Sequence, residues 1–221
     1  MFWRKDDKKG HELKYWKGRY REEGDLKHDH YEQFYTTVFA FAHEFYKGKR
    51  ILDIGCGPRG SLEWADWAAE RIGLDPLAEE YLRLGADKHK MVYVKAPSDK
   101  IPFSKGYFDV VTSFNSLDHV DNLERTIQEI IRVTKSGGVF LLIVEINHPP
   151  TLTEPVTLRR ESVLRAFERG FAVNRSWCCA MLPGGHDVYG SVLANQPPKS
   201  EQDRAVLCAL MVRSEGAKEL C

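Results

Sequence analysis

A glycine-rich turn framed by two aspartates is the part of this chain whose residue types and spacing are suited to chemistry. The run reads Ile51-Leu52-Asp53-Ile54-Gly55-Cys56-Gly57-Pro58-Arg59-Gly60, and Asp75 follows Asp53 by 22 residues. Glycines where a strand leaves the sheet let the backbone approach a ligand that larger side chains would hold away. A helix expected to open at Ser61 would add free N–H groups and the positive end of a dipole. The Gly55-x-Gly57-x-x-Gly60 spacing alone would suit a dinucleotide. Asp53 points elsewhere, because a carboxylate two residues before the first glycine repels a pyrophosphate and suits an ammonium group. Asp75, at the end of the next expected strand, can accept both hydroxyls of a ribose.

An ammonium, a sulfonium and a ribose together describe S-adenosylmethionine. The plainer reading is that Asp53 and Asp75 merely cap strand ends beside a structural turn. Further marks accompany the loop: Ile101-Pro102-Phe103, Tyr107-Phe108-Asp109-Val110-Val111, and Lys135-Ser136-Gly137-Gly138. With these the chain resembles the class I (Rossmann-like) S-adenosylmethionine-dependent methyltransferase superfamily, in its small-molecule group, from about Lys49 to Val144 and more loosely to Val212. The resemblance implies backbone contacts from Gly55, Cys56 and Gly57 to the methionine moiety, with Asp53 near its amino group. It implies that Asp75 holds the ribose, that Pro76 and Leu77 lie beside the adenine, and that the Ala96-Pro97-Ser98-Asp99 loop wraps its far edge. Pro97 stands where many relatives have an aspartate, so Asp99 or a backbone carbonyl must receive the adenine amino group.

Candidates to activate a methyl acceptor should follow the fourth and fifth strands, since ligands of open α/β sheets bind beyond the strands' carboxyl ends. After the fourth strand come Asn115, Ser116, Asp118 and His119, with Asn115 and Ser116 expected to face the cofactor. His119, backed by Asp118, has a titration range suited to taking a proton near neutral pH. The alternative is a histidine that packs behind the cofactor or bonds to backbone. After the fifth strand, Glu145 and His148 could line the pocket, although Pro149 and Pro150 favour a structural turn. Asp118, His119, Glu145 and His148 together would permit a divalent metal, but nothing fixes their spacing, and no metal is expected. His28, Asp29 and His30 do not share a helix face, and Asp29 is expected to cap a helix. His186 lies in a loop and is given no role.

The elements needed to position these residues are legible as apolar runs. Strands are expected at Arg50–Ile54, Arg71–Leu74, Met91–Val94, Val110–Phe114 and Val139–Val144, with helices at Leu62–Ala69, Ala78–Leu84 and Leu123–Val133. This alternation, with strands apolar throughout, implies an α/β fold: a single doubly wound, mostly parallel sheet covered on both faces. A helix at Glu161–Glu168 and late strands at Phe171–Leu182 and Ala205–Val212 would make seven strands, the last two an antiparallel C-terminal hairpin. Residues 183–204 should be a loop with short elements. Residues 1–48 read as an N-terminal helical extension, with Tyr31 to Phe45 on one helix face that could serve as a lid, and 49–221 as the methyltransferase domain.

Composition narrows the partners. The chain has 32 basic and 32 acidic residues for no net charge, and 43% of its residues are hydrophobic. A polynucleotide binder usually carries a basic surplus; here only the first 20 residues lean basic, so nucleic acid is not expected. No run approaches the ~20 apolar residues of a membrane span, and residues 1–9 lack the apolar stretch of a signal peptide. Five cysteines, with no Cys-x-x-Cys pair, suggest neither a disulfide framework nor a thiolate zinc site. A cytoplasmic location follows as the expectation. The expected partner is a small-molecule or glycan-type acceptor, methylated on oxygen. A nucleic-acid or protein methyltransferase and a non-catalytic cofactor-binding module are the alternatives. Oligomeric state is not legible.

Overall fold

The computed structural model describes residues 5–26, 30–185 and 187–215, with side chains from residue 8 onward. Its centre is a seven-stranded sheet in the order β3-β2-β1-β4-β5-β7-β6. The strands are β1 (Arg50–Ile54), β2 (Glu70–Asp75), β3 (Val92–Lys95), β4 (Phe108–Phe114), β5 (Thr134–Ile146), β6 (Phe171–Ala180) and β7 (Ala205–Arg213). The first five run parallel, while β7 pairs antiparallel with both β5 and β6. The expected doubly wound sheet with an antiparallel C-terminal pair is therefore present, with β7 inserted between β5 and β6.

Alternation along the strands divides the core in two. Leu52, Ile54, Val111, Phe140 and Leu142 face one side, against Ile127, Ile130 and Val133 of α4 (Leu123–Val133) and Phe167 of α5 (Arg160–Phe167). Ile51, Val110, Leu141 and Ile143 face the other, against Phe34, Tyr35, Phe39 and Tyr46 of the N-terminal segment. Helix α4 has the expected bounds because its start is capped locally: Asn122 Oδ1 accepts from Arg125 N at 3.0 Å. A small third cluster joins Leu77, Tyr81 and Ala86 around α3 (Ala78–Leu82) to Leu13 and Trp16 of α1 (Lys5–Glu23).

Two expectations are corrected, and the short elements expected in 183–204 include a helix. Residues 62–69 form successive turns and no helix. The carbonyls of Leu62 and Glu63 are claimed by the Arg71 guanidinium at 3.5 and 3.1 Å, and Glu63 Oε1 accepts from Met91 N at 2.8 Å, so the segment is pinned outward. The segment from Tyr31 to Phe45 is not one helix face: it breaks into α2 (Glu32–Tyr35) and 3-10 turns at Thr37–Phe39 and His43–Tyr46, with Ala40 left-handed at φ 59°. Packing of its rings against Trp64, Phe114 and Trp177 overrides helical continuity. Within 183–204 a two-turn helix, α6 (Val188–Ala194), is present, started by Asp187 accepting from Gly190 N at 2.7 Å. His28, Asp29 and His186 lie outside the described residues. Among the described residues no helix is long and apolar enough to cross a membrane.

Candidate active site

The sheet order reverses between β1 and β4, and a crevice at the carboxyl ends of such a pair is where open α/β sheets bind ligands. The glycine turn leaves β1 at that point. Gly55 is left-handed at φ 71°, and its N–H donates to Leu74 O at 2.8 Å, which ties the turn to β2. A Cβ on Gly55 would lie 2.3 Å from Cβ of Ser116, so only glycine fits. Ser116 is buried beneath the turn, where its hydroxyl bonds Ile54 O and Ser113 Oγ, each at 2.7 Å. It braces the loop and does not face the crevice, contrary to expectation. Because residues 62–69 are turns, no helix N-terminus contributes its dipole here; the turn's own backbone is what approaches a ligand.

Asp53 is buried on the aromatic side of β1. Its carboxylate accepts from Ser61 Oγ at 2.5 Å and Thr112 Oγ1 at 2.7 Å. Burial raises its pKa to about 6, against those hydrogen bonds. The buried hydroxyl of Tyr35 has no hydrogen-bond partner among the described residues, and it senses the Asp53 charge. Asp75 ends β2, with Oδ1 accepting from Leu77 N at 2.8 Å and Oδ2 from Gly57 N at 3.4 Å. Burial raises its pKa to about 7, offset in part by those N–H groups. Both values lie above the ordinary 3.8 of an unfolded chain. The stability contribution of both groups is thus fully present below that value and is lost as pH rises through about 6 and 7. A ligand that brings positive charge and hydroxyl donors removes that penalty. The donor set therefore fits the ammonium, sulfonium and ribose of S-adenosylmethionine.

The remaining predicted cofactor residues divide. Cys56 is buried, so only its backbone can serve a ligand. Pro76 and Leu77 follow Asp75, with Leu77 packed in the small cluster beneath α1. Pro97 is exposed, and the Ser98 hydroxyl turns away to Thr126 Oγ1 at 2.9 Å. Asn115, left-handed at φ 51°, follows β4 and donates its N–H to Ile143 O at 2.7 Å. Sequence reasoning missed Ser61 and Thr112, which hold Asp53 through contacts across the sheet. It also missed Trp16, whose ring atom Cζ2 would lie 3.3 Å from a Cβ on Gly57. Helix α1 crosses the mouth of the crevice: Arg59 pairs with Glu23 at 2.7 Å at one end, and Lys8 with Asp121 at 3.2 Å at the other. Helix α1, and not the Tyr31–Phe45 segment, meets the glycine turn, while Tyr31 and Tyr35 are buried.

On the acceptor side, Asp118 and His119 lie in a 3-10 turn after β4, with Asp118 fully buried and the His119 side chain 25% exposed. Neither Asp118 oxygen nor His119 Nε2 has a hydrogen-bond partner among the described residues. His148 meets Asp118 from the end of β5, Nε2 to Oδ2 at 3.4 Å, and the pairing raises its pKa to about 9. Glu145 is held by Arg204, Oε2 to Nη2 at 2.9 Å, in an ion pair that joins the end of β5 to the start of β7.

Comparison with known proteins follows the same lines. A family model described as a methyltransferase domain matches residues 52–142. The malonyl-[acyl-carrier protein] O-methyltransferase of Enterobacter lignolyticus is 35% identical over 91 residues, 41% of this chain and 36% of that protein. The demethylmenaquinone methyltransferase of Thermobifida fusca is 29% identical over 164 residues, 72% of this chain and 65% of that protein. The chain thus spans between 36% and 65% of the length of these curated relatives. An S-adenosylmethionine-dependent methyltransferase from Mesorhizobium loti superposes with a TM-score of 0.59 at 20% identity, covering 80% of this chain and all of that one, a likeness of fold. The glycine turn, Asp75 and the strand order agree with the family model, and residues 52–142 are similar in sequence to a methyltransferase domain.

Proposed function

We propose that this chain transfers the methyl group of S-adenosylmethionine to an oxygen atom of a small-molecule or glycan-type acceptor. The observation that carries the reading is a buried carboxylate, Asp75, joined to the backbone of the Gly55–Gly57 turn at the switch point of the sheet. When bound, S-adenosylmethionine supplies a methyl group on positively charged sulfur, so transfer depends mainly on alignment. Asp75 accepts the ribose hydroxyls once it is ionised. Asp53 supplies negative potential behind the turn, and Ser61 and Thr112 fix its rotamer. Gly55, Cys56 and Gly57 contribute backbone groups to the amino-acid end, and Asn115 closes that end from β4. Pro76, Leu77, Pro97 and the backbone of Ser98 flank the adenine.

His119, with Asp118 behind it, is the group that receives the acceptor's proton, because its Nε2 has no hydrogen-bond partner among the described residues. The oxygen preference rests on that corner, since a hydroxyl needs a proton acceptor and a nucleophilic carbon or neutral amine needs less. By their names, the two relatives above methylate a malonyl group at oxygen and a demethylmenaquinone. Incubating the chain with methyl-labelled donor and a panel of hydroquinones, carboxylic acids, sugars and amines tests the reading. Label is expected in ether or ester products. Label confined to amine or carbon acceptors overturns the oxygen assignment.

A further inference from the structure

The corner at the ends of β4 and β5 has a property that a single base does not require. Four side chains converge there, and three of them offer one donor atom each within 4.8 Å of one another. His119 Nε2 stands 3.8 Å from Asp118 Oδ1 and 3.7 Å from Glu154 Oε1. The three are Asp118, His119 and Glu154. Donors at ordinary bond lengths around a tetrahedral transition metal are separated by about 3.3–3.6 Å. Asp118 is wholly buried, and neither of its oxygens has a hydrogen-bond partner among the described residues. His148 Nε2 faces only Oδ2, so Oδ1 is left as a buried carboxylate oxygen with no donor, a costly arrangement that a bound ion would relieve.

The surroundings hold these donors in place. His148 Nδ1 lies 2.9 Å from Pro149 O and must donate, because a carbonyl only accepts. Its Nε2 then faces Asp118 Oδ2 at 3.4 Å, leaving Oδ1 for the group shared with His119. An imidazole fixed through a backbone carbonyl, set behind a carboxylate, is a common outer support of metal ligands. Glu154 sits on the segment after β5, which folds back through Asn147 N to Leu158 O at 2.9 Å and Val156 N to Asp118 O at 3.3 Å. Glu154 N donates to Thr151 Oγ1 at 3.0 Å, and Thr151 Oγ1 donates to Glu154 Oε2 at 3.3 Å, so Oε1 is the oxygen turned to His119. The nearby ammonium of Lys8 is paired with Asp121 at 3.2 Å.

We propose that Asp118, His119 and Glu154 form a binding site for a divalent first-row transition ion, with His148 orienting Asp118. One imidazole among carboxylates favours such an ion over magnesium or calcium, which prefer oxygen alone. Three protein ligands leave a coordination position on the side where His119 and Glu154 are 25% and 27% exposed. This deepens the functional reading and rests on it for the ion's purpose: the ion would lower the pKa of an acceptor hydroxyl held there, whose proton would pass to solvent on the exposed side of the site. In the ion-bound form His119 is a ligand, and in the ion-free form it is the proton acceptor.

The test is calorimetric titration of the chelator-treated full chain with zinc chloride. One site per chain is expected, with no comparable binding of magnesium. Glu154→Gln and His119→Ala should each weaken zinc binding by at least about tenfold, while His11→Ala, on the exposed face of α1, should not. Thermal melts of Glu154→Gln check that its fold is intact. Absence of a zinc site, or unchanged affinity in both ligand variants, overturns the proposal. The same samples are titrated with S-adenosylhomocysteine. Binding of that compound without zinc overturns only the metal site; zinc binding without it supports the metal site and overturns the methyltransferase reading.

Discussion

Gly55→Ala is expected to lose about 2–5 kcal/mol of stability and measurable cofactor binding together. Two costs combine. A Cβ at this position would lie 2.3 Å from Ser116 Cβ and 2.7 Å from its hydroxyl, and the residue is left-handed at φ 71°. Overpacking of a buried contact costs about 1–3 kcal/mol, and a strained left-handed residue costs a similar order. Neither cost is easily relieved, because Ser116 is fixed by its bonds to Ile54 O and Ser113. In a domain of this size the melting temperature should drop by roughly 5–15 °C. Adding Ser116→Gly should recover part of the loss, since it removes the clash but leaves the backbone strain. A Gly55→Ala protein that melts and binds like the parent would show that the turn is not held as described.

His119→Ala is expected to lower turnover by about 10²–10⁴-fold, the range for losing a general base, with nucleoside binding unchanged. The separation follows from position. The glycine turn and Asp75 stand at the ends of β1 and β2, whereas His119 follows β4 and contacts none of the groups holding Asp53 or Asp75. Its side chain is partly exposed, so removal leaves little cavity. Single-turnover rates with labelled donor, read beside calorimetric affinity, distinguish loss of chemistry from loss of binding. Unchanged turnover would exclude His119 from acceptor activation.

The parts of this fold that were legible in the sequence are those fixed by local chemistry. Strands β1, β4 and β5 are apolar runs because helices and the N-terminal segment cover the sheet on both faces, and α4 announces itself through Asn122 and its apolar spacing. What failed was decided by distant contacts. Residues 62–69 have the apolar spacing of a helix, yet Arg71 takes the Leu62 and Glu63 carbonyls that would help hold one. Tyr31 to Phe45 has helical spacing too, but its rings are divided among Trp64, Phe114, Trp177 and Tyr189. Within the site, Asp53, Gly55 and Asp75 declare themselves by type and spacing. Ser116 beneath Gly55 and Glu154 beside His119 do not, because 61 and 35 residues of chain separate each from its partner. Nothing local could assign Trp16 to the glycine turn.

The central claim is that the Asp53–Gly57 turn and Asp75 receive S-adenosylmethionine, and direct calorimetric titration with S-adenosylhomocysteine tests it. One site per chain is expected. Because Asp53 and Asp75 titrate near 6 and 7, a ligand that requires them ionised must displace protons at low pH. Binding should therefore be at least about tenfold tighter near pH 7 than near pH 5, and Asp75→Asn should flatten that dependence. No binding at either pH, or binding that Asp75→Asn leaves unaltered, would contradict the account.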